Sequence, residues 1–264
     1  MKSASPAMRA DPIAILALYA ITLFVGATLL FAVQPMVGKM ILPLLGGTPA
    51  VWSTCMVFFQ AALLGGYAYA HASTTWLGAR QQALLHLAVL AVPLAVLPLG
   101  INATLVRGGE SNPVLDVLIV LSVSVGLPFF VVSATAPLLQ RWFTQTGHRA
   151  AQDPYFLYAA SNLGSMLALL VYPTFIEPHL TLRGASWLSQ TRLWSAGYLV
   201  LAVLVLSCAL ALWRARPFSA AAPVAPVGDA PVIPREGPPV PGQRLRWIAL
   251  AFAPSSLLLG ATTY

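Results

Sequence analysis

Seven long apolar runs alternate with short polar breaks along this chain, at approximately 13–33, 51–70, 83–99, 115–139, 155–173, 193–213 and 247–264. None shows the two-residue alternation of a membrane barrel strand, and each is about twice as long as such a strand requires. A helix rises 1.5 Å per residue, so about 20 residues cross roughly 30 Å of hydrocarbon; the third run is the shortest for this purpose. Helices are also required because they satisfy their own backbone hydrogen bonds where no water is at hand. The pattern therefore predicts an all-α integral membrane protein, a helical bundle of about seven transmembrane spans. The first run is too long for the apolar core of a cleaved leader, and Gln34-Pro35-Met36 is a poor cleavage sequence, so it is predicted to stay as a span.

Composition strengthens this picture. Hydrophobic residues make up 58% of the 264 positions and charged residues only 8%. A water-soluble domain carries about 25% charge, so the expected partner is the lipid bilayer. The net charge of +7 then concerns membrane orientation, not nucleic acid: no basic face with interleaved aromatics is present. With the N-terminus inside, ten of the fourteen Lys and Arg residues fall on the cytoplasmic side. This predicts a multi-pass inner-membrane protein with a cytoplasmic N-terminus, although five of the ten lie in one loop.

That loop, 214–246, is rich in Pro, Ala and Val and has basic ends. Its prolines oppose helix and favour extended chain. The expected organisation is a cytoplasmic N-terminus (1–12), a six-span membrane domain (13–213), a cytoplasmic linker (214–246) and a seventh span (247–264). The last span ends at Tyr264 with no basic flank, as expected of a chain cut at the start of a second half. Leu23-Phe24-Val25-Gly26-Ala27-Thr28 is faintly echoed by Leu257-Leu258-Leu259-Gly260-Ala261-Thr262.

Candidate chemistry is sparse. Cys55 and Cys208 lie in apolar runs without metal-ligand or redox spacing, and the four histidines are scattered. No cofactor or metal site is expected. Asn102-Ala103-Thr104 fits a glycosylation triplet, a pattern frequent by chance. Gly38-Lys39 suggests a phosphate-binding loop, but that loop needs Gly where Val33 stands and Ser or Thr where Met40 stands. Membrane physics accounts for the stretch instead. Pro35 is expected to end or kink the first span, Lys39 to reach toward headgroups, and Gly46-Gly47 to turn the chain before an interfacial Trp52. An ordinary span exit and the polar mouth of a solute cavity both fit Gln34 and Lys39.

The fifth run carries the densest polar pattern. Asp153 is expected to cap it, with Pro154 at the first helical position. Tyr158, Ser161, Asn162 and Ser165 follow the i, i+3, i+4, i+7 spacing of one helix face, with Asn162 near mid-span. Ala160 and Gly164 form a small-residue pair beside that face, suited to close helix contact. Contact between helices and the wall of a solute path both fit. In the fourth run Pro128 and Pro137 are expected to bend the helix and free carbonyls. Asp116 is the one acid expected inside a span, either pairing with Lys39 or Arg107 or simply facing water. Gln60 lies mid-helix in the second run.

Several blocks together resemble a known bacterial family. They are Leu29–Trp52, Phe58–His71, Phe129–Phe143, Asp153–Ser165 and Phe252–Tyr264, and the likeness covers most of the chain outside the linker. The family is that of fused major-facilitator/spermidine synthase proteins. The stretch from Gly65 to Gln82 is distantly similar to the loop between spans two and three of the major facilitator superfamily; His71 stands near the place where that loop carries an acid. The resemblance implies the first half of a major-facilitator-type fold plus the start of the second. It also implies a cytosolic spermidine synthase-like domain, an aminopropyltransferase, as a partner in a longer protein. No catalytic residue of such a domain has a counterpart here. Two functions follow: a transporter-like domain for polyamines or another small polar solute, or a non-transporting anchor or scaffold for the cytosolic enzyme.

Overall fold

The computed structural model describes residues 12–101, 103–105, 112–152, 154–183 and 189–215, together with 242, 243, 246, 249 and 250. Asn102, Arg107, Asp153 and nearly all of the expected linker and seventh span lie outside these residues. The chain divides into two units, 1–219 and 220–264. The five described residues of the second unit are helical.

The first unit contains six helices long and apolar enough to cross a membrane. We number them α1 (Pro12–Leu45), α2 (Pro49–Trp76), α3 (Ala79–Val96), α4 (Pro113–Thr144), α5 (Tyr155–His179) and α6 (Gln190–Arg214). Sequence signals explain several of the boundaries. Thr48 caps α2, its hydroxyl accepting from the Val51 N–H, and Pro49 occupies the first turn. Asn112 caps α4 through the Val114 N–H, again with a proline next. Gly46 has φ +77°, a conformation costly for any residue with a β-carbon, and turns the chain from α1 into α2.

Other boundaries differ from the periodic pattern. α1 does not end at Pro35; it runs 34 residues with Pro35 and Pro43 inside it. A proline removes one intrahelical bond and adds a ring clash, and in a membrane helix neighbouring groups and local adjustments can absorb both. α4 and α5 show such adjustments as π turns, at Ser122–Gly126 just before Pro128 and at Tyr172–Ile176 around Pro173. The second π turn lets α5 continue to His179. Glu177 therefore lies near the end of a long apolar helix, and not in the connection after it.

α1 is the hub. It packs along α5, α6 and α4, while α2 packs against α4 and α3 against α6. Gly164 makes the α5–α1 approach possible: its carbonyl accepts a long hydrogen bond from Thr28 Oγ1 at 3.3 Å. The start of α1 meets the end of α6 where Tyr19 Oη donates to the Cys208 carbonyl. Arg80, at the start of α3, reaches the Trp213 and Ala215 carbonyls. This end of the bundle is called the near end below, and the opposite one the far end. The buried core is aromatic and aliphatic, with Trp142, Tyr19, Tyr198, Phe129 and Phe143 among its largest members.

Candidate functional site

The eight polar residues selected from the sequence do not form one cluster. Tyr158, Ser161, Asn162 and Ser165 share one side of α5 as their spacing requires. Leu157, Gly164 and Ala168 form the adjacent packed side. Tyr158 and Asn162 are exposed, Ser161 and Ser165 are half-buried at the border, and the Ser165 hydroxyl donates to the Asn162 carbonyl. The exposed side of α5 continues with Met166, Leu169 and Leu170. Because α5 extends to His179, Asn162 lies in its first third and not at mid-span, about 10 Å along the axis from Tyr155.

At the far end, Lys39 forms an ion pair with Glu177, joining the ends of α1 and α5. Lys39 stands about 40 Å along α1 from Pro12, beyond the roughly 30 Å of hydrocarbon that a helix along the membrane normal would cross. The pair is only partly buried, in keeping with a headgroup level. Gly38 has a packing role: a β-carbon there would lie 3.0 Å from the Trp52 ring. Gln34 donates to the Leu30 carbonyl of its own helix at 3.3 Å. Just below the ion pair is a crevice of about 110 Å³ between α1, α5 and α6, lined by Met36, Tyr172, Ile176, Gln190 and Leu193 among others. Its polar wall is internally paired: Tyr172 Oη donates to Gln190 Oε1 at 2.9 Å, and Gln190 Nε2 donates to the Leu180 carbonyl at 2.8 Å.

Asp116 and Gln60 stand apart from both groups. Asp116 is buried, 3% exposed, instead of facing water, and Lys39 takes Glu177 as its partner. Asp116 lies in the first turn of α4, and the segment Pro113–Leu121 that carries it packs against α2. Gln60 is exposed on α2.

A well-connected polar group among the described residues escaped the sequence reading. Near the near end, α2, α3 and α4 enclose Gln82, which uses its whole amide. Its Nε2 donates to Ser73 Oγ at 3.1 Å and Thr74 Oγ1 at 2.8 Å, and its Oε1 accepts from Trp142 Nε1 at 3.0 Å. One helical turn further along α3, His86 is wholly buried, with Nε2 3.1 Å from Thr135 Oγ1. The two residues are spaced i, i+4, which puts them on one face of α3. That spacing, opposite hydroxyls of a neighbouring helix, was the signal available in the sequence. The histidines looked scattered because they are unrelated to one another; His86 is grouped with an amide and hydroxyls instead. Among the described residues no cluster of three or more His, Cys, Asp or Glu could hold a metal ion.

This arrangement defines an all-α, multi-pass membrane protein with a bundle of six long apolar helices. Scans against protein-family models and searches of curated proteins and of solved structures find no match.

Proposed function

We propose that the six-helix unit is the membrane part of a transporter-like protein that handles polyamines or another small polar solute. The supporting observation is the exposed polar side of α5. Asn162 and Tyr158 point away from the packed core of the unit, on the least buried of the six helices. An amide left unpaired in hydrocarbon costs several kcal/mol, on the order of 4–8 on a cyclohexane scale, so a lipid-facing role fits this surface poorly. A solute path along α5 gives the amide and phenol something to bind. In this reading Ser161 and Ser165 border the path, Gln34 and Lys39 lie toward its far-end mouth, and Gln60 stands apart from it on α2. The blocks resembling the fused major-facilitator/spermidine synthase family support the same reading. The excess of basic residues on one side supports the orientation in this reading, a bacterial inner membrane with the N-terminus cytoplasmic.

The test is solute uptake by the full-length protein carrying Asn162→Leu. Uptake should fall at least several-fold while the amount of folded protein is unchanged. Normal uptake by a folded variant removes Asn162 from the path.

The second reading is a membrane anchor for a cytosolic aminopropyltransferase-like domain. It is favoured by the state of the acids. Glu177 is committed to Lys39 and Asp116 is buried, whereas a path for a cation calls for an accessible acid. Expression of the synthase-like domain without its membrane part tests it. Full product formation with unchanged cellular polyamine levels supports anchoring.

A further inference from the structure

The Gln82 and His86 nodes differ in one respect. Every polar atom of the Gln82 amide is engaged, whereas two polar atoms on neighbouring rings at the His86 node are buried without a hydrogen-bond partner among the described residues: His86 Nδ1 and Tyr69 Oη.

Proton counting fixes what each atom needs. The Thr135 hydroxyl has a single proton and donates it to the Val131 carbonyl at 2.8 Å. Thr135 Oγ1 can then only accept from His86, so Nε2 carries the imidazole proton. In the neutral ring Nδ1 is left as a bare acceptor. Tyr69 Oη is a hydroxyl with a proton to give. The two rings are neighbours, with centroids 6.1 Å apart and planes inclined by 31°. Trp142 covers the imidazole from α4, with centroids 6.0 Å apart, and Phe130 covers the Tyr69 ring, with centroids 5.7 Å apart. Close packing pins the helices at this level: a β-carbon at Gly66, on α2, would collide with Ser133 Oγ and lie 3.0 Å from the Phe130 carbonyl oxygen.

A buried acceptor and a buried donor on neighbouring rings, with Trp142 and Phe130 packed against them, call for a neutral species that both donates and accepts. An ion is disfavoured there, because the node contributes no opposite charge and desolvation is severe. We propose that Tyr69 and His86 form a binding site for a single water molecule, which accepts from Tyr69 Oη and donates to His86 Nδ1. Water of this kind is an integral part of many folds and is held by groups that would otherwise be unsatisfied. With Gln82, Ser73, Thr74 and Trp142, the site completes a polar column that enters the bundle from the near end and stops at Thr135. The proposal does not depend on the protein being a transporter.

The sign of one conservative substitution tests it. Removing an unsatisfied buried hydroxyl is neutral or stabilising, whereas removing one that holds a bridge exposes its partner's loss. In the detergent-purified chain, Tyr69→Phe should lower Tm by about 2–4 °C. The same change made on a His86→Phe background should shift Tm much less. An unchanged or raised Tm for Tyr69→Phe overturns the proposal. Solid-state NMR on 15N-histidine-labelled protein gives an independent measurement on the unaltered chain, with the His86 signal assigned by its loss in His86→Phe. Magnetisation transfer from water to His86 Nδ1 is expected. Transfer from the Tyr69 hydroxyl alone would show a direct bond between the side chains and overturn the water site.

Discussion

Gly164 of α5 lies against the Phe24 carbonyl of α1 so closely that a β-carbon would collide with it, and would stand 3.1 Å from Thr28 Oγ1. Two main chains meet there, with the Thr28 hydroxyl bonded to the Gly164 carbonyl beside them, which is the contact that small residues permit in membrane bundles.

The consequence is a strong size limit at this position. Gly164→Val should destabilise the unit by about 1–3 kcal/mol, the usual cost of overpacking, because the obstructing atom is backbone and cannot rotate away. Gly78, which has open space around it, serves as the comparison, and Gly78→Ala should change little. Thermal unfolding in detergent measures both.

Gln82→Leu removes the acceptor of Trp142 Nε1 and the donor shared by Ser73 and Thr74, all in a buried place. The unsatisfied indole N–H alone should cost about 1–3 kcal/mol. Gln60→Leu changes an exposed amide on α2 and should be close to neutral for stability. A larger drop in Tm for Gln82→Leu than for Gln60→Leu is the expected outcome. Equal effects would mean that the enclosed network contributes nothing.

Lys39 and Glu177 should show modest coupling. Their side chains are 33% and 39% exposed, so solvent screens the attraction and the pair contributes about 0.2–1 kcal/mol. A double-mutant cycle of Lys39→Ala and Glu177→Ala should return a value in that range and decline with added salt. The charge-swapped double variant, Lys39→Glu with Glu177→Lys, should recover part of the stability lost by either reversal alone.

The helices were legible in the sequence because hydrophobic thickness acts residue by residue. The first six apolar runs each correspond to one of the six helices. Their ends were less legible. Pro35 looks like a stop when only backbone hydrogen bonding is considered, yet α1 passes through it to Leu45. Pro173 looks like the end of the fifth run, yet a π turn carries α5 on to His179. The outcome at such prolines depends on whether neighbouring helices support the continued helix, which a local pattern does not encode.

The same division separates the polar residues. Spacing along α5 was enough to put Tyr158, Ser161, Asn162 and Ser165 on one side of a helix, since 3.6 residues per turn is a property of the backbone. Spacing could not say whether that side faces α1 or turns outward. Gly164 decided it by taking the contact with Phe24.

The sequence by itself determined that this chain dissolves in lipid as helices, because 8% charge and runs of about 20 apolar residues leave no other solvent or backbone state. Only the tertiary structure decided which polar groups meet. Lys39 finds Glu177 across 138 positions of chain, and Gln82 finds Trp142 across 60. Those pairings follow from which helix packs beside which. That depends on side-chain shape at contacts such as Gly66–Ser133 and Gly164–Phe24, and not on any period readable along a single strand of sequence.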